Sequence, residues 1–265
     1  MALTSALARA GAVILIAAFT VALSSSKDSA QRPVRRDLLV AAAASLSGMA
    51  PQLTRAFHDA TGIDLRFNFG GSNTLARQIV EGARVDAFVS ADAAQMDVVE
   101  RNGRLVEGTR VNVVGNQLVV IVGTLPDPAA FELDDLGSPR TRRVAMGDPA
   151  AVPAGVYGRQ WLEAVRLWTL VEPKVVPLPT SPAVVAAVRA GRAEFGVVYA
   201  SDAWNRRDVS VAYVVRLEDA PEISYPAAVI TGGRIPLARQ FVDFLRSAPA
   251  QRIFESAGFR AVGAR

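Results

Sequence analysis

Short runs of apolar residues alternate with longer segments in which apolar residues recur at helical spacing, from residue 38 almost to the C-terminus. The run from Leu118 to Val122 is apolar at every position, which is typical of a strand buried on both faces. Alternating strands and helices predict an α/β protein whose parallel sheets are covered by helices on both faces. The predicted strands are residues 38–44, 65–69, 87–90, 118–122, 143–146, 174–176, 196–199, 211–215 and 227–230.

The helical segments carry start and stop signals. Apolar stripes end at glycines such as Gly62 and Gly82, because glycine readily takes the left-handed conformation that closes a helix. Asp92 precedes Gln95 by three residues, a spacing typical of a capped helix start. The predicted helices are residues 49–60, 75–80, 92–102, 157–168, a helix that starts at Pro182 with Ser181 as its cap, 237–245 and 249–257.

The N-terminus follows a different pattern. Arg9 precedes an apolar run from Ala10 to Leu23, and residues 24–30 are mostly polar. A charged, an apolar and then a polar part is the plan of a secretory signal peptide, and the run is shorter than the roughly 20 residues of a membrane-spanning helix. We therefore predict a signal peptide over residues 1–30 and an exported protein; a retained anchor or a buried helix is the alternative.

Composition narrows the function classes. The chain is 51% hydrophobic and 20% charged, which indicates a substantial folded core. It has no cysteine, which excludes disulfides, thiol catalysis and a lipid-anchored N-terminal cysteine, so we expect a soluble periplasmic protein after cleavage. A net charge of +4 is too balanced to indicate nucleic-acid binding. The single histidine, His58, lies in a polar helix stripe and has no partner ligands at zinc-site spacing.

No linker between domains is visible in the composition. The chain could still form two lobes if it crosses between them in extended strands, and the segments near residues 116–119 and 224–229 are the best candidates. We predict one lobe from residues 35–116 together with 228–265, and a second lobe from residues 117–227.

Several strand-to-helix junctions carry hydroxyl groups or small residues with free backbone N–H groups. Ligands of open α/β sheets bind beyond the carboxyl ends of the strands, where helix N-termini favour anions. Each residue also has a simpler interpretation, because the serines could be ordinary helix caps and the tyrosine a core ring. Pro51 indicates that its helix begins near Ala50, which leaves Ser45 in the preceding loop. The junction residues are Ser45, Ser72, Ala154, Ser181 and Tyr199.

Seven sequence strings resemble the periplasmic molybdate-binding proteins of ABC transporters in order and approximate spacing. The resemblance runs from about Leu38 to Phe259, and its most specific piece is the GDPAAVPAGVYGRQ string. It implies a type II periplasmic binding protein fold: two doubly wound α/β lobes joined by two crossover strands that close on an anion. The strings are AAASL, FGGSNTLARQI, ARVDAFVSAD, VGNQLVVIV, GDPAAVPAGVYGRQ, FGVVYASDA and YPAAVI.

The resemblance also implies ligand contacts. The serine hydroxyl groups that hold the oxyanion in that family match Ser45 and Ser72, and the tyrosine hydroxyl matches Tyr199. Backbone N–H groups match Ala154 and Ser181. At Ser181 the sequence departs from the family, which often has valine after an acidic or amide residue where Thr180-Ser181-Pro182 stands here. A backbone donor survives this change unless the contact falls on Pro182, which has no N–H.

The function that this resemblance implies is capture of molybdate or tungstate and delivery to the membrane permease subunits of an ABC transporter. We expect a monomer with no cofactor, no metal-cation ligands and no catalysis. Sulfate or another small anion is the alternative ligand. A serine hydrolase is a remote alternative, because neither Ser45 nor Ser72 lies in a G-x-S-x-G elbow. The effector domain of a transcription regulator is disfavoured by the predicted leader.

Overall fold

The computed structural model describes residues 37–123 and 131–263, all within one compact unit, residues 36–265. The predicted signal peptide, residues 1–30, lies outside the described residues. The strands are β1 (Asp37–Ala43), β2 (Asp64–Gly70), β3 (Ala87–Val89), β4 (Val111–Asn116), β5 (Leu118–Val122), β6 (Val144–Gly147), β7 (Val175–Leu178), β8 (Phe195–Tyr199), β9 (Ser210–Val214) and β10 (Ile223–Val229). The α-helices are α1 (Ala50–Thr61), α2 (Ser72–Val80), α3 (Ala93–Arg101), α4 (Pro153–Ala164), α5 (Trp168–Val171), α6 (Ser181–Arg189), α7 (Ala200–Ala203), α8 (Ile235–Leu245) and α9 (Ala248–Ser256).

The strands form two five-stranded sheets, and each sheet is the centre of one lobe. The first lobe has the order β2-β1-β3-β10-β4, and the second has the order β7-β6-β8-β5-β9. The prediction of parallel sheets is confirmed for β1 with β2 and β3 and for β6 with β7 and β8. It is wrong for the other pairs, because β10 runs antiparallel to β3 and β4, and β5 runs antiparallel to β8 and β9. In each sheet the antiparallel pairs involve a strand next to a crossing between the lobes: β4 and β5 flank the first crossing, and β9 and β10 flank the second.

The two crossings between the lobes are short. Only Gln117 separates β4 of the first sheet from β5 of the second, and residues 215–222 connect β9 to β10. β10 begins at Ile223, opposite Asn116 of β4, so the pairing places the whole strand in the first sheet. The lobe boundary between residues 227 and 228 remains a prediction. A boundary at this point divides β10 between the two lobes.

Most predicted elements form, and the exceptions have local causes. The predicted helix over residues 157–168 is interrupted, because α4 ends at Ala164 and Arg166 takes a φ of 61° before α5 begins. β10 starts earlier than predicted. A register shift between Tyr225 and Pro226 accommodates Pro226, which has no backbone N–H to donate to the neighbouring strand. β4 was not among the predicted strands, because polar Asn112 and Asn116 mask its apolar positions.

The core and the helix ends follow the sequence pattern closely. All five residues of β5 are buried, as their uniform apolar character predicts. α1 begins at Ala50 and ends against Gly62, whose φ is 67°. A 3-10 helix over Ala44–Met49 precedes α1 and carries Ser45. Within residues 37–123 and 131–263, no helix is long and apolar enough to cross a membrane.

Candidate functional site

A small cavity of about 20 Å³ lies between the two lobes, and all five predicted ligand residues line it. The first lobe contributes Ser45 and Ser72. The second lobe contributes Ala154, Ser181 and Tyr199. The tertiary structure therefore brings together residues that are separated by up to 154 positions along the chain.

The first-lobe wall of the cavity presents two hydroxyl groups that each already have one partner. Ser72 is 1% exposed, and its Oγ accepts a hydrogen bond from the backbone N–H of Ala91 at 2.9 Å. Ser45 Oγ lies 2.9 Å from the hydroxyl of Tyr225. A hydroxyl can accept two hydrogen bonds and donate one, so Ser72 retains its proton for a ligand.

The simpler interpretation of the serines as helix caps is wrong. The N-cap of the 3-10 helix is Ala43, and the N-cap of α2 is Gly71. α6 is capped by Thr180, whose side chain accepts from the N–H of Ala183, so the predicted cap Ser181 is instead the first helical residue. The three serine hydroxyl groups are thus not consumed by capping.

The second-lobe wall presents backbone donors from two helix N-termini. α4 begins at Pro153, so the N–H of Ala154 lies in the first turn and has no acceptor within its own helix. The same holds for the N–H of Ser181 at the start of α6. Neither N–H has a hydrogen-bond partner elsewhere in the described residues. Both are therefore available to an anion, and the N-terminal partial charge of each helix favours one.

Tyr199 adds a side-chain donor to the second wall. It is the last residue of β8, is 2% exposed, and its hydroxyl has no hydrogen-bond partner in the described part of the chain. Burial raises the pKa of Tyr199 well above its ordinary value, so the phenol remains a neutral donor. Leaving such a group unsatisfied costs about 1–3 kcal/mol. The ring is in the core, but its hydroxyl has the properties of a ligand contact.

The charged groups near the cavity do not line it. Ser181 Oγ donates to Oδ2 of Asp202 at 2.5 Å, behind the second wall. Burial raises the pKa of Asp202 to about 6, and the hydrogen bond from Ser181 opposes that rise. Among the described residues, no lysine, arginine or histidine lines the cavity. Among residues 37–123 and 131–263 no group of three or more His, Cys, Asp or Glu could hold a metal ion.

The two walls are in contact, so the cleft is closed. The 3-10 helix that carries Ser45 contacts α6 and α7 of the second lobe. At Gly71 a Cβ atom would lie 2.9 Å from the carbonyl oxygen of Pro179, which belongs to the second lobe. Asn73 Oδ1 of the same lobe would lie 2.7 Å from this Cβ atom. Gly71 has an ordinary φ of −62°, so its lack of a side chain matters for these two close approaches and not for backbone conformation.

Two residues behind the first wall were missed by the sequence reasoning. Tyr225 is 0% exposed and contacts Ser45, and Asn116 is 4% exposed and donates to the Tyr225 hydroxyl at 3.3 Å. Both lie in strings that carry the family resemblance, VGNQLVVIV and YPAAVI. A polar side chain inside each of these apolar strings is the signal that could have found them.

The family model for bacterial extracellular solute-binding proteins matches residues 38–260. The chain belongs to this family. It is 33% identical over 226 residues to the molybdate-binding protein ModA of Escherichia coli, covering 84% of this chain and 88% of that protein.

Solved structures of similar proteins have the same fold. One is a substrate-binding domain assigned to a molybdenum ABC transporter from Clostridium difficile, with a TM-score of 0.68, 32% identity, and coverage of 85% of this chain and 99% of that chain. Another is the periplasmic molybdate-binding protein of Azotobacter vinelandii, with a TM-score of 0.75, 22% identity, and coverage of 84% and 98%. This solute-binding protein therefore has the type II periplasmic binding protein fold.

Proposed function

We propose that the protein captures molybdate or tungstate between its lobes and delivers the anion to the membrane permease subunits of an ABC transporter. The buried Tyr199 hydroxyl carries the proposal, because it is an unpartnered donor in a cavity where other free donors converge. Three buried side-chain atoms lack partners within the described residues: Asn73 Oδ1, Trp161 Nε1 and Tyr199 OH. Only Tyr199 among them lines this cavity.

Neutral donors are sufficient to hold a dianion. A hydrogen bond to a charged group contributes about 1.5–3 kcal/mol. Five such bonds give a gross contribution of about 8–15 kcal/mol, from which association and ordering remove several. Micromolar to nanomolar affinity is therefore within reach without a lysine or arginine at the anion. A site without fixed positive charge also favours release to the transporter.

The similarity to ModA proteins favours molybdate over other tetrahedral anions. Sulfate is the alternative, since the same donors can contact any tetrahedral dianion. Molybdate and tungstate have nearly equal size and longer metal–oxygen bonds than the S–O bonds of sulfate. The radius of the closed cavity therefore decides the preference.

We propose binding and not catalysis, because the family consists of solute-binding proteins and His58 lies outside the cleft with its side chain 52% exposed. We also propose that the mature protein is a periplasmic monomer. Size-exclusion chromatography with light scattering, and N-terminal sequencing of the exported protein, test these two points.

Titration calorimetry of a protein comprising residues 31–265 tests the ligand assignment. We expect tight binding of molybdate and tungstate, and sulfate binding weaker by orders of magnitude. Sulfate affinity equal to that for molybdate contradicts the assignment. Tyr199→Phe is the matched variant for the site, since it removes one oxygen atom. It should weaken molybdate binding by about 1–3 kcal/mol without lowering the stability of the ligand-free protein.

A further inference from the structure

A chain of three buried hydrogen-bonding side chains lies behind the first wall of the cleft. It connects Asn116, at the end of β4, through Tyr225 in β10 to Ser45. Asn116 and Tyr225 do not line the anion cavity. All three residues are at most 9% exposed, so solvent does not readily replace their partners.

The protons in this chain have a defined direction. The Oδ1 atom of Asn116 accepts from the backbone N–H of Gln117 at 2.9 Å, which fixes the orientation of the amide. Its Nδ2 group therefore donates, to Ser201 Oγ at 2.9 Å and to the Tyr225 hydroxyl at 3.3 Å. A backbone N–H can only donate, so the amide cannot be reversed without losing this bond.

The direction passes from Tyr225 to Ser45. Burial raises the pKa of Tyr225, so the phenol keeps its single proton at neutral pH. The Nδ2 group of Asn116 cannot accept, so Ser45 Oγ, 2.9 Å away, is the one acceptor within reach of that proton among the described residues. The proton of Ser45 then has no acceptor in the described part of the chain other than a ligand in the cavity.

We propose that Asn116 and Tyr225 are positioning residues that hold the Ser45 hydroxyl as a hydrogen-bond donor toward the bound anion. This inference rests on the proposed function, because it assigns a direction to one of the proposed ligand contacts. Chains of hydrogen bonds also polarise one another, so each donor in the series strengthens the next.

A double-mutant cycle tests whether Tyr225 acts through Ser45. Molybdate affinity is measured by calorimetry for the wild type, Ser45→Ala, Tyr225→Phe and the double variant. We expect Tyr225→Phe to weaken binding about threefold to tenfold in the presence of Ser45, and less than about twofold in the Ser45→Ala background. Equal losses in both backgrounds mean that Tyr225 has only a structural role, which overturns the proposal.

Asn116→Asp tests the direction of the chain. A carboxylate at this position accepts a hydrogen bond from Tyr225, so Tyr225 then accepts from Ser45, and Ser45 Oγ can accept a hydrogen bond from a protonated ligand. Sulfate and hydrogen phosphate are dianions of similar shape, and only hydrogen phosphate carries a proton. Competition against molybdate should show the sulfate-to-phosphate affinity ratio falling about tenfold in Asn116→Asp and remaining unchanged when Ser45→Ala is also present.

These outcomes separate the two proposals. If the wild-type protein does not bind molybdate, the proposed function fails. If it binds molybdate but the cycle is additive, or the sulfate-to-phosphate ratio does not change, only the role of Asn116 and Tyr225 is refuted.

Discussion

The two walls of the cleft present their donors in different ways. On the first-lobe wall the hydroxyl groups of Ser45 and Ser72 are already held by Tyr225 and by the N–H of Ala91. On the second-lobe wall the N–H groups of Ala154 and Ser181 and the hydroxyl of Tyr199 have no partners in the described residues. The hydroxyl oxygens of the first wall thus have protein partners without a ligand, whereas the three donors of the second wall have none.

From this difference we expect an anion to favour the closed cleft. A buried donor without a partner costs about 1–3 kcal/mol, so closing on an empty cavity is unfavourable for the second wall. An oxyanion whose oxygen atoms accept from these donors would remove that cost. The ligand can shift the equilibrium only through such differential interactions with the closed state.

Replacement of Ser181 is the sharpest way to break the second wall. Ser181→Pro removes the backbone donor, and the helix start tolerates proline because Ser181 is the first residue of α6 and Thr180 is extended, with φ −151° and ψ 155°. Ser181→Ala keeps the N–H and removes only the hydroxyl bonded to Asp202. Calorimetry should show molybdate affinity lower by about 1.5–3 kcal/mol in the proline variant than in the alanine variant. Equal affinities mean that this N–H does not contact the anion.

Gly71→Ala tests the closeness of the two walls. The new methyl group would lie 2.7 Å from Asn73 Oδ1 in the same lobe and 2.9 Å from the carbonyl oxygen of Pro179 across the cleft. The Asn73 side chain can rotate away, whereas the contact with the backbone carbonyl is relieved only when the cleft opens. We expect about tenfold weaker molybdate binding, near the low end of the 1–3 kcal/mol cost of overpacking, with unchanged urea denaturation of the ligand-free protein. Gly48→Ala is the control, because no atom in the described part of the chain lies within 4 Å of its added methyl group. Unaltered affinity in Gly71→Ala would falsify the cross-lobe contact.

The buried carboxylate behind the second wall predicts a smaller, pH-dependent effect. Burial raises the pKa of Asp202 from 3.8 to about 6, so its contribution to stability is complete below pH 3.8 and is lost as the pH rises through about 6. The Asp202→Asn variant has no carboxyl group at this position, so it does not lose stability in this way as the pH rises. Its free energy of unfolding, relative to wild type, should therefore increase by about 1 kcal/mol between about pH 5 and about pH 7. Denaturation at both pH values measures this difference in the free energy of unfolding. Asp59→Asn, which replaces an exposed carboxylate, is the control. A difference that does not change with pH contradicts the raised pKa of Asp202.

Much of the fold was predictable because it depends on local pattern. Uniformly apolar β5 and the glycine that ends α1 were recognised, since each depends on the residues of a single element. The break between α4 and α5 was not, because apolar spacing continues through Arg166 although its backbone leaves the helical region. β4 was missed because burial of Asn116 depends on Tyr225, more than 100 residues away in sequence.

The sequence by itself determined the element types, the junctions where donors occur and the family to which the chain belongs. Tertiary structure decided which of those donors are free. Thr180 and not Ser181 caps α6, Ala91 occupies one acceptor site of Ser72, and the Tyr199 hydroxyl has no partner in the described residues. These facts follow from packing between residues far apart in the chain, because a hydrogen bond depends on distance and direction in space and not on spacing in sequence.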